Sequence, residues 1–228
     1  MKKSVEFVPE NSLALQCYEQ LRQEIVQGIL LPGEKLKVMP IAKRFGIGQS
    51  PVREALSKLS AFGLVVVEEN KGFRVALVSE FDIRDTYKVF TAVEITALQW
   101  AMKCGDVQWQ ANIVAQLHKL SIIENSKKIV PQSVWAAANY DFHLALIAGC
   151  NSPTLLEVRQ QIYMKFDRYC QMSYQLSQQM NHNNYACHQE LADAVLQRDV
   201  SRAKKLMIGH INNPLEFVIQ QFQEHTIF

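Results

Sequence analysis

The segment from residue 41 to residue 64, IAKRFGIGQSPVREALSKLSAFGL, constrains the fold more than any other part of the chain. Its apolar residues recur at helical spacing on both sides of a glycine-containing break, which predicts two short helices around a tight turn. Ser50 is placed to cap the second helix, and Pro51 suits its first turn. The face that the second helix leaves free carries Gln49, Ser50, Arg53 and Lys58. A helix with an apolar side and a cationic, hydrogen-bonding N-terminal end is suited to the DNA major groove.

The flanking sequence points the same way. Between residues 35 and 58 there are six Lys and Arg side chains and a single acidic one, Glu54. Downstream, a β-branched strand is predicted at 64–68 and a second strand at 73–76, and the glycine turn between them predicts a β-hairpin. A helix-turn-helix followed by a hairpin is a winged helix-turn-helix. The tip of this predicted wing carries Lys71, Gly72 and Arg74. An ordinary helical hairpin with solvated charges is the alternative, and the spacing within 41–64 alone does not decide between the two.

The winged domain predicts a defined set of DNA contacts. We expect Arg53 and Gln49 to reach base edges from the start of the second helix, with Ser50 beside them. Phosphate contacts are predicted for four other cations: Lys37, Lys43, Arg44 and Lys58. At the wing, Lys71 and Gly72 are expected at the minor groove, because glycine permits a close approach of the backbone.

Two units are expected along the chain, residues 1–78 and residues 79–228. The first begins with a polar lead-in at 1–10 and an amphipathic helix at 13–27. The second is expected to be helical throughout, and turn signals separate predicted helices at 80–104, 106–127, 131–149, 153–180, 184–198 and 200–223. Ser79 and Asp82 give the first of these helices a start of the capping-box kind. The predicted fold class is therefore mainly α, an N-terminal winged helix-turn-helix followed by an antiparallel bundle of six to seven helices.

Composition excludes several classes of protein. A hydrophobic content of 48% and a charged content of 20% are those of a globular chain. No apolar run reaches the roughly 18 residues that a membrane span needs, and the N-terminus is too polar for a signal peptide. We therefore expect a cytoplasmic protein with no membrane partner. Five cysteines without a C-x-x-C motif predict buried free thiols rather than disulfides.

Charge is unevenly distributed between the two predicted units. Residues 1–78 carry 11 Lys and Arg against 8 Asp and Glu, whereas residues 79–228 carry 13 against 14. The positive charge thus lies with the unit that is predicted to bind DNA.

Three histidines and an asparagine in the helical unit form a candidate metal site. Asn139 and His143 lie four residues apart and share a face of one predicted helix, while His188 and His210 belong to two later helices. Three imidazoles and an amide oxygen could bind a divalent metal such as Zn²⁺ or Ni²⁺ in a bundle core. Three unrelated histidines, each paired with a backbone carbonyl or with solvent, are the alternative. Spacing alone favours that alternative, because the chain has no compact ligand motif.

Four segments of the N-terminal unit carry a resemblance to a known family: PGEKL at 32–36, SPVREALSKL at 50–59, GLV at 63–65 and KGFRVA at 71–76. They resemble the DNA-binding domain of the GntR family of bacterial transcription regulators. The family usually has Ser-Arg-Thr before the Pro-Val-Arg-Glu-Ala-Leu run, where this chain has Gly48, Gln49 and Ser50. The family's Arg commonly contacts a guanine, whereas Gln49 is suited to pair with adenine. The resemblance therefore implies the fold and the groove placement but not the operator sequence.

Three further segments extend the resemblance: NYDFHLALIAGCNSPTLL at 139–156, HQELADAVLQRD at 188–199 and RAKKLMIGH at 202–210. They are similar to the ligand-sensing C-terminal domain, of the FCD type, in the FadR subgroup of that family. The subgroup's metal-binding members imply four ligands here: Asn139, His143, His188 and His210. Asn139 stands where the subgroup more often has Asp, so a weaker metal affinity is implied. The nearest likeness is to the carbon-starvation-induced repressor type, which senses small dicarboxylates such as glutarate.

The resemblance also implies a binding site for a small organic acid, anchored at the metal by a carboxylate. Related regulators often carry an Arg four residues before a Glu on the first helix of this domain, but here Phe90 precedes Glu94. A second carboxylate of the effector then needs another cation. The candidate effector-binding residues are Arg159, Tyr163 and Arg168. For both arginines the alternative is a surface position with a buried stem.

We therefore expect a homodimeric, metabolite-responsive transcription repressor that binds a pseudo-palindromic operator in double-stranded DNA. The rival hypothesis is a metal-dependent hydrolase with an accessory nucleic-acid-binding domain, because a three-histidine metal with an open position could activate water. A candidate general base beside the cluster is lacking, so no enzymatic activity is expected.

Overall fold

The computed structural model describes residues 12–69, 71–126, 128, 130–177 and 185–227. The predicted lead-in at 1–10 and the predicted turn at 181–184 lie outside the described residues, as does the end of the helix predicted at 153–180. The described part folds into a small N-terminal unit, here called the head (residues 12–78), and a helical unit, here called the body (residues 79–227).

The head is a winged helix-turn-helix, as predicted. Its elements are α1 (Leu13–Val26), β1 (Lys35–Leu36), α2 (Val38–Phe45), α3 (Gln49–Ala61), β2 (Val65–Glu68) and β3 (Gly72–Val75). The three strands form an antiparallel sheet in the order β1-β3-β2. The core of the head lies between α1, α3 and the sheet, and its most buried side chains are Leu21, Ile25, Val52, Leu56, Leu59, Leu64 and Val75.

Two details of the head differ from the prediction. Ser50 does not cap α3, because the chain enters the helix two residues earlier. Gly48 is extended (φ −69°, ψ 166°) at the cap position, where no side-chain cap hydrogen bond forms, and Gln49 is already helical. The two-residue strand β1 was not predicted, since its only signal is its pairing with β3, in which Lys35 lies opposite Arg74.

The body contains seven helices in its described part. They are α4 (Glu80–Cys104), α5 (Val107–Glu124), α6 (Gln132–Ala148), α7 (Pro153–Ser177), α8 (Tyr185–Leu196), α9 (Val200–Asn212) and α10 (Leu215–Glu224). The helix predicted at 200–223 is divided in two, because Pro214 cannot continue the hydrogen-bonding pattern of α9. The predicted start of α4 is confirmed, since the backbone N–H of Asp82 donates to Ser79 Oγ at 3.1 Å. The mainly α fold class is likewise confirmed.

Helix α7 joins the head to the body. Its Met164 is buried in the core of the head, whereas Tyr169 and Met172 belong to the core of the body. Lys165 Nζ donates to Asp82 Oδ1 at 2.6 Å, and the Tyr169 hydroxyl donates to the other oxygen of the same carboxylate. Both units therefore pack on a single helix.

Two further expectations concern the state of the cysteines and the presence of a membrane span. All five cysteines are free, but only Cys17 and Cys150 are buried, whereas Cys104 and Cys187 are exposed. The prediction of uniformly buried thiols is thus wrong for at least two of them. Within the described ranges, none of the helices has the length and apolarity needed to span a lipid bilayer.

Candidate functional site

The N-terminal half of α3 protrudes from the head. Gln49, Ser50 and Arg53 are exposed, while the opposite face buries Val52, Ala55, Leu56 and Leu59 against the core. Arg53 forms no ion pair with any described residue, and neither does Lys43 at the end of α2. The cationic tip of the recognition helix is therefore open to an approaching duplex.

Two of the other predicted phosphate contacts have intramolecular partners. Arg44 Nη2 donates to Glu24 Oε2 at 2.8 Å, and its guanidinium lies 4.8 Å from the centre of the Phe45 ring. Lys58 Nζ lies 4.3 Å from the centre of the Tyr18 ring. Both side chains remain partly open to solvent, as does that of Lys37. A phosphate would have to share or replace these partners of Arg44 and Lys58.

The wing tip presents backbone as well as charge. Lys71 and Gly72 are exposed, and Gly72 has a φ of +89°, a conformation that side-chain-bearing residues rarely adopt. Arg74 is held by intramolecular partners, because it donates to Glu68 Oε1 at 3.0 Å and to the carbonyl of Gly33. It serves the wing's own structure.

A cavity of about 630 Å³ lies in the body between α4, α6, α7, α8, α9 and α10. His143 on α6 and His210 on α9 line it, and His188 on α8 lies behind them with no exposed surface. One ligand nitrogen from each of these three histidines can be chosen so that all lie within 4.8 Å of one another. The three predicted histidines thus converge at one point in the described structure.

Glu124, at the end of α5, orients His188. Its Oε2 lies 3.1 Å from His188 Nδ1, and its Oε1 accepts a hydrogen bond from Trp135 Nε1 at 3.2 Å. With Glu124 as a carboxylate, Nδ1 carries the proton and Nε2 keeps its lone pair. His188 Nε2 is buried and has no hydrogen-bond partner among the described residues. Glu124 was not found from the sequence, because it lies 64 residues from His188 and belongs to no spacing motif.

Two histidines of this cluster, His143 and His210, have a lowered pKa and are therefore held neutral. Burial, followed by the nearby His210, His188 and Arg159, lowers the pKa of His143 well below its usual value. Burial and His188 lower the pKa of His210 to about 3. A neutral imidazole is the form that donates a lone pair to a metal.

The donor set at this point fits a divalent metal. Asn139 lines the same cavity, and its buried Oδ1 has no hydrogen-bond partner in the described part of the chain. Three imidazole nitrogens and one amide oxygen are ligands that Zn²⁺ and similar metals accept. His188 Nε2 and Asn139 Oδ1 are thus two buried polar atoms, beside the same cavity, that a bound metal would provide with a partner.

Two of the three predicted effector contacts line the cavity. Arg159 is only 1% exposed, and its Nε donates to Glu94 Oε1 at 2.7 Å. Its guanidinium carbon lies 4.6 Å from the centre of the Tyr163 ring and 5.1 Å from that of Tyr140. Burial raises the pKa of Glu94, and the charge of Arg159 opposes that rise. Arg159 therefore does not lie at the surface with only its stem buried, which was the alternative expectation for this residue.

Arg168 lies elsewhere, which corrects the prediction for this residue. It does not line the cavity. Its Nη2 donates to the carbonyl of Ala76, the first residue after β3, at 2.8 Å. On α7 it lies on the face that contacts the head, whereas Arg159 lies on the face that contacts the cavity. A residue spacing of nine on one helix does not by itself place two side chains on the same face.

A winged helix-turn-helix with an exposed cationic recognition helix, carried on a helical body with an internal cavity, defines a DNA-binding transcription regulator. The comparisons with known proteins agree. Residues 13–75 match the family model of bacterial regulatory proteins of the gntR family, and residues 85–213 match the model of the FCD domain. The chain belongs to the GntR family of bacterial regulators, in the group that carries an FCD domain.

Individual proteins give the same result. The chain is 35% identical over 214 residues to the HTH-type transcriptional repressor GlaR of Escherichia coli (strain K12), a match that covers 91% of this chain and 96% of that protein. It is 25% identical over 229 residues to the HTH-type transcriptional repressor RspR of the same strain, covering 96% of this chain and 94% of that protein. Because its relatives are named transcription regulators, the chain is not an enzyme, and nothing supports the hydrolase hypothesis.

The fold also has a counterpart among solved structures. The structure of E. coli McbR/YncC aligns with a TM-score of 0.75 and 22% sequence identity, covering 93% of this chain and 99% of that one. This likeness confirms the arrangement of a winged head on a helical body.

Proposed function

We propose that the protein is a homodimeric transcription repressor whose binding to a pseudo-palindromic operator is controlled by a small carboxylate metabolite. The metabolite would bind in the body cavity, at a divalent metal held by the histidine cluster. The observation that carries this proposal is the convergence of His143, His188 and His210 beside a cavity whose wall includes α7, the helix that also holds the head.

The DNA side of the proposal rests on α3. A two-fold dimer would present two copies of this helix to two half-sites, so that the operator mirrors the symmetry of the protein. Arg53 and Gln49 would contact base edges, and Lys37 and Lys43 would contact phosphates. Repression is proposed because GlaR and RspR are named as repressors.

The metal side rests on the buried donor atoms without partners. His143, His188, His210 and Asn139 would hold the metal, and Glu124 would keep His188 in the tautomer that leaves Nε2 free. A bound metal supplies a Lewis-acidic anchor for a carboxylate oxygen. The neutral Asn139 leaves the site more positive than an aspartate would, which favours an anionic ligand.

The effector part of the proposal rests on Arg159. It supplies the positive charge that related regulators often carry at the position of Phe90. In this chain the guanidinium comes from α7, and it lies 5.7 Å from the centre of the Phe90 ring on α4. A metabolite with a second carboxylate could bind the metal with one end and Arg159 with the other. The aromatic rings of Tyr140 and Tyr163 would cover its carbon chain.

Coupling to DNA rests on the two faces of α7. Residues 166, 167 and 170 line the cavity, whereas residues 164 and 168 contact the head and residue 165 pairs with Asp82 in the first turn of α4. A ligand that binds one position of α7 better than another shifts the head by that difference in affinity. The route from cavity to head is thus about one helix diameter long.

The test begins with a selection of random duplexes by the full-length protein. We expect enrichment of a pseudo-palindrome, and a change in its affinity when glutarate is added to the Zn²⁺-loaded protein. Zinc content is measured on the wild type and on a His143→Ala, His188→Ala double variant, with His118→Ala as the control from an exposed position. A lack of sequence preference would overturn the DNA assignment, and equal zinc content in all three would overturn the metal site.

A further inference from the structure

The ion pair between Glu94 and Arg159 is incomplete. Each residue is 1% exposed, and they share a single hydrogen bond from Arg159 Nε to Glu94 Oε1. Three of their remaining polar atoms, Glu94 Oε2 and Arg159 Nη1 and Nη2, are buried and have no hydrogen-bond partner among the described residues. Both residues line the cavity. Buried polar atoms without partners are costly, so these three atoms mark a place where a ligand completes the structure.

The three atoms have opposite requirements. The two Nη groups are donors and need an acceptor, whereas Glu94 Oε2 is an acceptor and needs a donor. Because one hydrogen bond of 2.7 Å joins the two side chains, these donors and this acceptor belong to one pair in the wall of the same cavity. An unsubstituted carboxylate satisfies Arg159 but offers only another negative oxygen to Glu94. A ligand that satisfies both must carry an acceptor and a donor on neighbouring atoms.

We propose that this end of the cavity selects a carboxylate with a hydroxyl or an ammonium group on the adjacent carbon, that is, a 2-hydroxy or 2-amino acid. Arg159 binds the carboxylate and Glu94 accepts a hydrogen bond from the substituent, which makes Glu94 a specificity-determining residue. This inference rests on the proposed function, because it describes the metabolite that the cavity binds.

The surroundings suit such a ligand group. The rings of Phe90, Tyr140 and Tyr163 surround the Arg159 guanidinium at 4.6 to 5.7 Å, and both residues of the pair are buried. In this setting a hydrogen bond to a charged oxygen discriminates strongly between ligands that do and do not carry the donor. Asp167, also in the cavity wall, adds a second acidic side chain that disfavours an extra bare carboxylate.

The experiment measures binding of chain-length-matched acids to the full-length, Zn²⁺-loaded protein by isothermal titration calorimetry. Succinate is compared with malate and aspartate, and glutarate is compared with 2-hydroxyglutarate and glutamate, each as both enantiomers. We expect at least one substituted acid to bind about tenfold more tightly than its unsubstituted partner, since a hydrogen bond to a charged group supplies roughly that factor. The hydroxyl and ammonium arms identify which donor the protein prefers.

The variant Glu94→Gln separates specificity from affinity. Its amide keeps the side-chain volume but removes the negative charge, so the preference should fall to about threefold or less while the unsubstituted acid still binds. Glu80→Gln, on the exposed start of the same helix, is the matched control and should keep the preference.

Three outcomes count against the inference. Affinities within about twofold for every matched pair would overturn it even if the variant fails to fold. A full preference retained in Glu94→Gln would overturn the role of Glu94. Failure of all the acids to bind would also remove the proposed function, which distinguishes that failure from a flat series in which all of them bind.

Discussion

Lys165 in the middle of α7 and Asp82 at the start of α4 form an ion pair with a 2.6 Å distance between Nζ and Oδ1. Asp82 follows the last residue of the head by only four positions, and Lys165 lies one residue from Phe166 in the cavity wall. Two side chains that are 83 residues apart in sequence therefore connect the start of the body to the cavity.

Breaking this ion pair should reduce the coupling between effector binding and operator affinity more than it reduces the stability of the fold. The pair is about one-third exposed, so Lys165→Met should change the free energy of unfolding by only about 0–1 kcal/mol. The shift in operator affinity caused by the effector should fall, because α7 loses its ion pair with the first turn of α4, the helix that follows the head. Thermal unfolding and fluorescence anisotropy with labelled operator measure the two effects.

Arg84→Met is the matched control for the coupling prediction. Arg84 forms exposed ion pairs with Glu80 on α4 and Glu216 on α10, so neither of its ion-pair partners lies on α7. Equal losses of coupling in the two variants would contradict a specific role for Lys165.

Substitutions of two exposed cations of the head should weaken DNA binding in different ways. Arg53→Ala should cost about 1–3 kcal/mol of operator binding and relax the base preference at one position, because Arg53 lies at the protruding end of α3. Lys43→Ala should weaken binding to all sequences alike and lower the salt dependence of log K by about one unit. Anisotropy titrations on specific and scrambled duplexes at several salt concentrations separate the two. Unchanged operator affinity in Arg53→Ala would exclude the groove placement.

Glu124 should tune the metal site without touching the metal. Glu124→Gln keeps the shape of the side chain but weakens its hold on His188 Nδ1, so the affinity for Zn²⁺ should fall by about 10- to 100-fold. Competition with a chromophoric chelator measures this affinity. Glu157→Gln, on the exposed part of α7, is the control. Identical zinc affinities in these two variants would mean that the contact between Glu124 and His188 serves packing alone.

The metal-free protein should lose stability as pH falls. The pKa of His210 is lowered to about 3 in the folded state, against about 6.5 in an unfolded chain, so the unfolded state binds the additional proton between these values. Stability is therefore fully present above pH 6.5 and is lost progressively toward pH 3, by at most about 1.4 kcal/mol per pH unit for this histidine. His143, whose pKa is also lowered, adds to the slope.

Urea unfolding in the presence of a chelator between pH 5 and pH 7 measures this slope. The His210→Asn variant should show a shallower dependence, since Asn does not titrate. A slope unchanged by the substitution would place the responsible protons elsewhere.

The winged head followed from local signals. Periodicity and the glycine break specified α2 and α3, and the glycine turn between a β-branched strand and a second short strand specified the wing, because neighbours in sequence decide these features. Even here the tertiary structure moved the helix start, since Gly48 rather than Ser50 occupies the cap position.

The chemistry of the body could be named from the sequence, but its geometry could not. The histidines at 143, 188 and 210 are of a residue type that binds metals, which is visible in the sequence. Whether they form a cluster or are three unrelated histidines depended on how α6, α8 and α9 pack. The contact of Glu124 with His188, and the different positions of Arg159 in the cavity wall and Arg168 against the head, depend on contacts between residues that are tens of positions apart in sequence. Residue types and short-range spacing can be read from the sequence alone. The direction in which each face of a helix points is fixed only when its apolar side is buried against other helices.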